Sequence, residues 1–122
     1  MAKRYGWTGK ILRINLSDGK TSGIETDRYR EDYIGGRGIA SRLYWENVSS
    51  GTSAFNPDNH IFFMTGPLAG TKAQASSRWI VLGKSPLVYP EKYALGNLGG
   101  YFGAALKWTG LDGLDEIGRA HV

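Results

Sequence analysis

The residues with the clearest chemical potential are a run of bare backbone rather than a set of acids and bases. Gly96-Asn97-Leu98-Gly99-Gly100-Tyr101-Phe102-Gly103 lies near the centre of residues 78–106. Its glycines, at 96, 99, 100 and 103, are spaced i, i+3, i+4, i+7, which on a helix puts them on one face. Each glycine costs a helix about 1 kcal/mol against alanine, so such a face belongs where something must approach the backbone closely. Free N–H groups at a glycine-rich helix start also suit an anionic ligand. The spacing therefore fits a backbone cradle for a phosphate-bearing or otherwise bulky cofactor. It fits equally a tight turn followed by close helix–strand packing. Two arginines extend the pattern. Arg37 sits between glycines, and Arg78 ends a polar loop just before an apolar run. A forked guanidinium beside bare backbone is well made for phosphate or a carboxylate-like ring edge. A surface or capping ion pair would use the same two residues.

Other chemistries find no support in the residue pattern. There is no Gly-x-Ser-x-Gly hydrolase elbow and no Walker loop. Gly36-x-Gly38-x-x-Ser41 approaches a dinucleotide fingerprint but lacks the third glycine, and the segment before it reads as a helix end rather than a strand. His60 opens an apolar run with no second histidine or carboxylate at ligand spacing, so it reads as structural. His121 lies in the terminal tail considered below. The carboxylates are scattered without a catalytic pair. Trp7, Trp45, Trp79 and Trp108 read as core or interface residues, without the basic–aromatic interleaving of an RNA-binding sheet. The chain has no cysteine, which excludes disulfides, cysteine nucleophiles and thiolate or iron–sulfur ligation from within it.

The elements that would carry these residues follow from periodicity. The chain has 122 residues, the size of one domain or part of one, and 41% hydrophobic residues suffice for a packed core. Its 18 glycines are about twice ordinary usage, and their spread reads as turns and close contacts rather than a linker. Residues 10–16 form a strand, 17–20 an Asp-Gly turn, and 21–26 the returning strand. Asp27 is placed to cap a short helix to about Tyr33, which Gly35-Gly36-Arg37-Gly38 breaks. Residues 39–48 read as a helix burying Ile39 and Leu43. Residues 49–59 form a loop, 60–65 and 79–82 apolar strands, and 97–108 a glycine-faced helix stopped by Gly110. The sum is a β-rich α+β fold with short helices. The net charge of +4 fits an anionic partner, but no charge run reaches the length of a nucleic-acid arm. The opening MAKRYGWTGK lacks the apolar stretch of a signal peptide and no run approaches a membrane span, so a cytoplasmic protein with no nucleic-acid or membrane partner is expected.

Several of these segments, taken in order, resemble the N-terminal domain of the tungsten-containing aldehyde:ferredoxin oxidoreductase family. They are residues 5–16, Tyr33-Ile34-Gly35-Gly36-Arg37-Gly38, Phe55-Asn56-Pro57-Asp58-Asn59, residues 65–71, Lys84-Ser85-Pro86-Leu87 and residues 97–107. The likeness runs from about Tyr5 to Leu114. It implies a β-rich base on which a tungsten (or molybdenum) bis-pterin lies, its metal held by soft dithiolene sulfurs rather than protein thiolates. By resemblance, Arg78 reaches the pterin and lies between it and an iron–sulfur cluster, and Asn97 and Gly99 meet the pterin and its phosphate. The Asn97 carbonyl then lies near a magnesium ion bridging the two phosphates. Arg37 receives no role from the family. The implied activity is oxidation of an aldehyde to a carboxylic acid, with electrons passing through a 4Fe-4S cluster to ferredoxin. The cluster ligands and catalytic acid–base residues belong to later domains of the same polypeptide, so this part would be inactive alone. Homo-oligomerisation of the full-length protein is left open.

The sequence departs from the family pattern in two places. Residues 88–93 form a longer, more polar insertion. Residues 116–122 read like translated sequencing-adapter read-through and are expected to form a non-native tail after an incomplete domain of residues 1–115, leaving a sheet edge unpaired. Two alternatives stand beside the aldehyde oxidoreductase. One is the same domain in a related low-potential reductase acting on an aromatic acyl-coenzyme A. The other is a non-enzymatic module binding anions or nucleic acid through Arg37, Arg78 and the basic surface.

Overall fold

The computed structural model describes residues 5–119. Six strands form one sheet: β1 (Lys10–Asn15), β2 (Lys20–Glu25), β3 (His60–Thr65), β4 (Trp79–Ser85), β5 (Lys92–Leu98) and β6 (Gly113–Ile117). Their order across the sheet is β2-β1-β6-β3-β4-β5. Neighbours run antiparallel except β1 and β6, which are parallel. Two helices, α1 (Gly36–Asn47) and α2 (Phe102–Trp108), and a 3-10 turn at Thr26–Arg28 complete the α+β fold.

Side-chain alternation divides the sheet into two faces. On one face Ile11, Phe62, Met64, Ile80 and Leu82 pack against Ile39, Ala40 and Leu43 of α1, with Trp7 closing the end of the cluster. On the other face the Trp79 ring lies 4.4 Å from Phe102 of α2 and stacks with Phe63. Helix α1 can lie this close only because Gly36 has no side chain. A Cβ there would fall 2.1 Å from the Thr65 carbonyl oxygen.

The ends of the elements are tied by a buried ion pair. Asp112, fully buried, precedes β6 and accepts hydrogen bonds from the Thr8 and Gly9 amides at 2.9 and 2.8 Å. It also accepts from Thr26 Oγ1 at 2.6 Å and from Lys107 Nζ of α2 at 2.5 Å. Lys107 Nζ donates in addition to the Gly6 carbonyl and lies over the Trp7 ring. Burial alone would raise the Asp112 pKa. The hydrogen bonds from Lys107, Thr26 and Thr8, with the Lys107 charge, outweigh it and hold the carboxyl below the usual carboxylate range.

Several expected boundaries move. Asp27 caps no helix: it lies inside the 3-10 turn, where it pairs with Arg30. Gly36, Arg37 and Gly38 do not break a helix but form the first turn of α1. The expected 97–108 helix is instead the end of β5, a turn, and α2 from Phe102. β4 runs on to Ser85, and β5 pairs with it from Ser85↔Lys92 to Trp79↔Leu98, a strand the sequence reading lacks. Lys, Ala, Gly and Asn are poor strand formers, and β5 holds an edge position by its ladder rather than by an apolar face.

The reading of residues 116–122 as lying outside the fold is also revised in part. Glu116 and Ile117 belong to β6, which sits between β1 and β3 in the sheet interior, so no edge is left open there. His121 lies outside the described residues.

His60 is buried, with Nδ1 2.6 Å from Asp115 Oδ1, and its ring stacks on Phe62. Asp115 also accepts from Arg13 Nε at 2.6 Å. His60 is therefore a core hydrogen-bonding residue.

Asp112→Ala leaves Lys107 buried without its anion and is expected to destabilise the fold by about 3–5 kcal/mol, measured by urea unfolding. Because the folded carboxyl titrates below its unfolded value of about 3.9, its stabilisation is complete above that value and is lost as the pH falls through the folded one. The urea midpoint of the wild type should fall with pH in that acid range, and Asp112→Asn should flatten this component. Gly36→Ala should cost about 1–3 kcal/mol in the same assay, because α1 must lift from β3.

Candidate functional site

The glycine stretch forms a strand end, an open turn and a helix start, and its four glycines do different things. Gly103, in the first turn of α2, lets the helix meet β4: a Cβ there would lie 3.1 Å from the Ser77 carbonyl oxygen and 3.2 Å from Trp79 Cβ. Gly100 has φ of +80°, a left-handed conformation that glycine adopts without strain. Around Gly99 and Gly100 there is open space, with no atom within 4 Å of an added Cβ, and at Gly96 the Leu98 side chain is the one atom group so close. Residues 96–101 are all exposed. Bare backbone here faces solvent rather than the core.

The β4–β5 register brings Arg78 to this backbone. Trp79 pairs with Leu98 and Ile80 with Asn97, so Arg78 and Gly99 meet just beyond the ladder. Pleating puts Arg78 on the same face as Ile80 and its partner Asn97. Arg78 is exposed and has no ion-pair partner among the described residues. Trp79, on the opposite face, donates its indole N–H to the Gly99 carbonyl at 3.0 Å and so fixes that peptide's orientation. β5 is the sheet edge, so alternate peptides along it turn their N–H and C=O groups away from β4.

Next to the turn, Thr71, Ser76, Ser77, Gly100 and Tyr101 line an open cleft of about 410 Å³. The Thr71 and Ser76 hydroxyls there already donate to the Leu68 and Ala73 carbonyls, and Arg78 lies on the opposite face, so the anion-binding groups are the Arg78 guanidinium and the exposed backbone of residues 97–99. Arg78, Asn97 and Gly99 are thus brought together.

Arg37 is not part of this group. It lines a separate cleft of about 950 Å³ between α1 and the β4–β5 hairpin. The sequence reading also missed Trp79, which holds the Gly99 peptide, and Ser76 and Ser77, which line the neighbouring cleft. Their signal is position alone: residues flanking Arg78 on a strand start share its surroundings whichever face they occupy.

The donor chemistry suits a ligand that brings its own metal ligands. The chain carries no cysteine, and no cluster of three or more His, Asp or Glu side chains occurs among the described residues. What the seat offers is anion-binding backbone and a guanidinium, which fits the phosphate-bearing part of a metallopterin.

Comparison with known proteins identifies the family. Residues 11–121 match the family model for the aldehyde ferredoxin oxidoreductase N-terminal domain. The tungsten-containing aldehyde ferredoxin oxidoreductase of Pyrococcus horikoshii is 41% identical over 120 residues, covering 95% of this chain and 19% of that protein. The enzyme of the same description from Pyrococcus furiosus is 36% identical over the same share. Among solved structures, the active site complex BamBC of benzoyl coenzyme A reductase, in complex with 1,5-dienoyl-CoA, superposes with a TM-score of 0.89 at 32% identity. It is covered over 18% of its chain, against 95% of this one. The chain thus spans about a fifth of the length of these relatives. With the family model matched over most of its length and relatives up to 41% identical, the chain belongs to the aldehyde ferredoxin oxidoreductase family and carries that family's N-terminal domain.

Proposed function

We propose that this domain forms one wall of a tungsten (or molybdenum) bis-pterin site in a full-length, cytoplasmic oxidoreductase that oxidises aldehydes to carboxylic acids. The observation that carries the reading is the exposed, unfilled backbone of residues 96–101 beside the unpaired Arg78, on a chain of this family. Arg78 would hold the pterin by charge-assisted hydrogen bonds. Asn97 and Gly99 would meet its phosphate region, with the Asn97 carbonyl turned toward a magnesium ion that bridges the phosphates. When bound, the metallopterin supplies the two-electron chemistry. The residues of this chain bind and orient it. Trp79 keeps the Gly99 peptide from rotating. A 4Fe-4S cluster, the residues that act on the substrate and the ferredoxin contact would come from the remaining domains of the polypeptide. This domain alone would not turn over.

A second reading is favoured by one observation, the likeness to the benzoyl coenzyme A reductase complex at 32% identity. In it the same wall serves a low-potential reduction of an aromatic acyl-coenzyme A. The domain is compatible with both, because the wall binds the cofactor and leaves substrate choice to other parts of the protein.

In the full-length protein, Arg78→Ala removes a charge-assisted contact worth about 1.5–3 kcal/mol and should weaken cofactor retention roughly ten- to a hundredfold. Elemental analysis for tungsten and molybdenum, with fluorescence of the oxidised pterin, measures it. Unchanged metal and pterin content would remove Arg78 from the site. Aldehyde-dependent ferredoxin reduction by the wild type supports the first reading. Turnover with aromatic acyl-coenzyme A instead supports the second.

A further inference from the structure

The larger cleft has no part in the cofactor seat, and its walls are built and braced. One wall is α1, where Arg37, Ser41, Trp45 and Val48 recur at helical spacing and Tyr44 flanks them. The opposite wall is the β4–β5 hairpin, contributing Lys84, Glu91 and Tyr93. The Ser41 and Tyr93 hydroxyls meet at 2.6 Å across the floor, and the Tyr44 and Tyr93 rings pack edge to face at 5.6 Å. At the far end Lys84 Nζ donates to the Ser50 and Thr52 carbonyls, and Glu91 Oε2 accepts from the Ala54 amide. These bonds fix the loop, the helix and the hairpin against one another, so the cleft is preformed.

What the walls leave uncommitted defines a ligand. Arg37 is exposed and has no ion-pair partner among the described residues. The Trp45 side chain is 81% exposed, unusual for an indole beside a cavity of this size. Glu91 uses one carboxylate oxygen on Ala54, and the other has no hydrogen-bond partner among the described residues. Arg37 and Trp45 are eight residues apart on α1, or about 12 Å along its axis. A lone phosphate or a benzoate-sized ring is too short to reach both. A molecule with a phosphate at one end and a flat ring at the other spans them. Ring stacking on Trp45 contributes about 1–3 kcal/mol, and Glu91 can accept from an exocyclic amine on that ring.

We infer that the cleft between α1 and the β4–β5 hairpin is a nucleotide-binding site, with Arg37 taking the phosphate and Trp45 stacking on the base. The cleft volume of about 950 Å³ accommodates a ligand of that size. The site is independent of the metallopterin seat, since the two use different residues, and either can fail without the other.

Titration calorimetry of ADP into the full-length protein tests it, with adenosine and inorganic phosphate as separate probes and the Trp45 indole emission as a second readout. Saturable ADP binding that quenches this emission is expected. Arg37→Gln and Trp45→Leu should each weaken it about tenfold, while Arg28→Gln, at a distant exposed ion pair, leaves it unchanged. Adenosine and phosphate alone should each bind at least tenfold more weakly than ADP. Absence of saturable ADP binding, wild-type affinity in either cleft variant, or phosphate binding as tightly as ADP would each overturn the inference. Metal and pterin content should be unaltered in both variants, which separates this test from that of the cofactor seat.

Discussion

The fold hangs on the carboxylate of Asp112. Its two oxygens take four hydrogen bonds, from the Thr8 and Gly9 amides, Thr26 Oγ1 and Lys107 Nζ. Those donors come from the entry to β1, the end of β2, and α2, while Asp112 itself leads into β6. Segments from the two ends of the described chain are therefore held together by one buried acid. A buried ion pair is stabilising only when every remaining donor and acceptor is matched. That condition is met here: Lys107 spends a further proton on the Gly6 carbonyl and rests its charge on the Trp7 ring. A smaller or uncharged residue at either position would leave the other partner desolvated and alone.

Much of the strand framework was legible because β1, β3 and β4 carry apolar or β-branched alternation that only a sheet satisfies. The helix at 39–48 was legible from Ile39 and Leu43 four apart. Three things were not legible, for separate reasons. The first turn of α1 contains Gly36 and Gly38, which local propensity reads as a break. Tertiary contact overrides it, since only glycine lets α1 lie on the Thr65 carbonyl. Strand β5 has no buried stripe, and only Leu95 packs toward the core, so its existence depends on the β4 ladder. The Asp112–Lys107 pair reads in sequence as two ordinary surface charges, because nothing local says that Thr8 and Thr26 will converge on it.

The glycine stretch illustrates how periodicity can point to the right place for an incomplete reason. Spacing of i, i+3, i+4, i+7 suggested one helix face. The chain instead changes from strand to turn to helix within those eight residues, and the glycines divide the work. Gly103 admits α2 to β4, which is the packing reading. Gly99 and Gly100 stand open to solvent, which is the cradle reading. The close packing is seen at Gly103, and the open backbone that a cradle would need is seen at Gly99 and Gly100. Arg78 adjoins this backbone because a residue at the start of one strand of a hairpin must adjoin the end of the other. Arg37 falls outside the seat because α1 begins three residues earlier than periodicity gave and turns that side chain toward the hairpin cleft.

Exposed backbone binds an anion tightly only if it is already ordered, since ordering free peptide costs about 1–2 kcal/mol per residue. The turn at residues 99–101 is anchored on both flanks. Upstream, the β4–β5 ladder and the Trp79 indole hold Leu98 and Gly99. Downstream, Gly103 seats α2 against β4, and Lys107 of the same helix is fixed to Asp112. A loosened Asp112 pair would therefore free α2, and with it the far flank of the turn, without touching a single atom of the seat. The acid that stabilises the sheet also sets the geometry of the exposed backbone at residues 99–101, which is why the two cannot be separated in this fold: the turn is as rigid as the helix behind it.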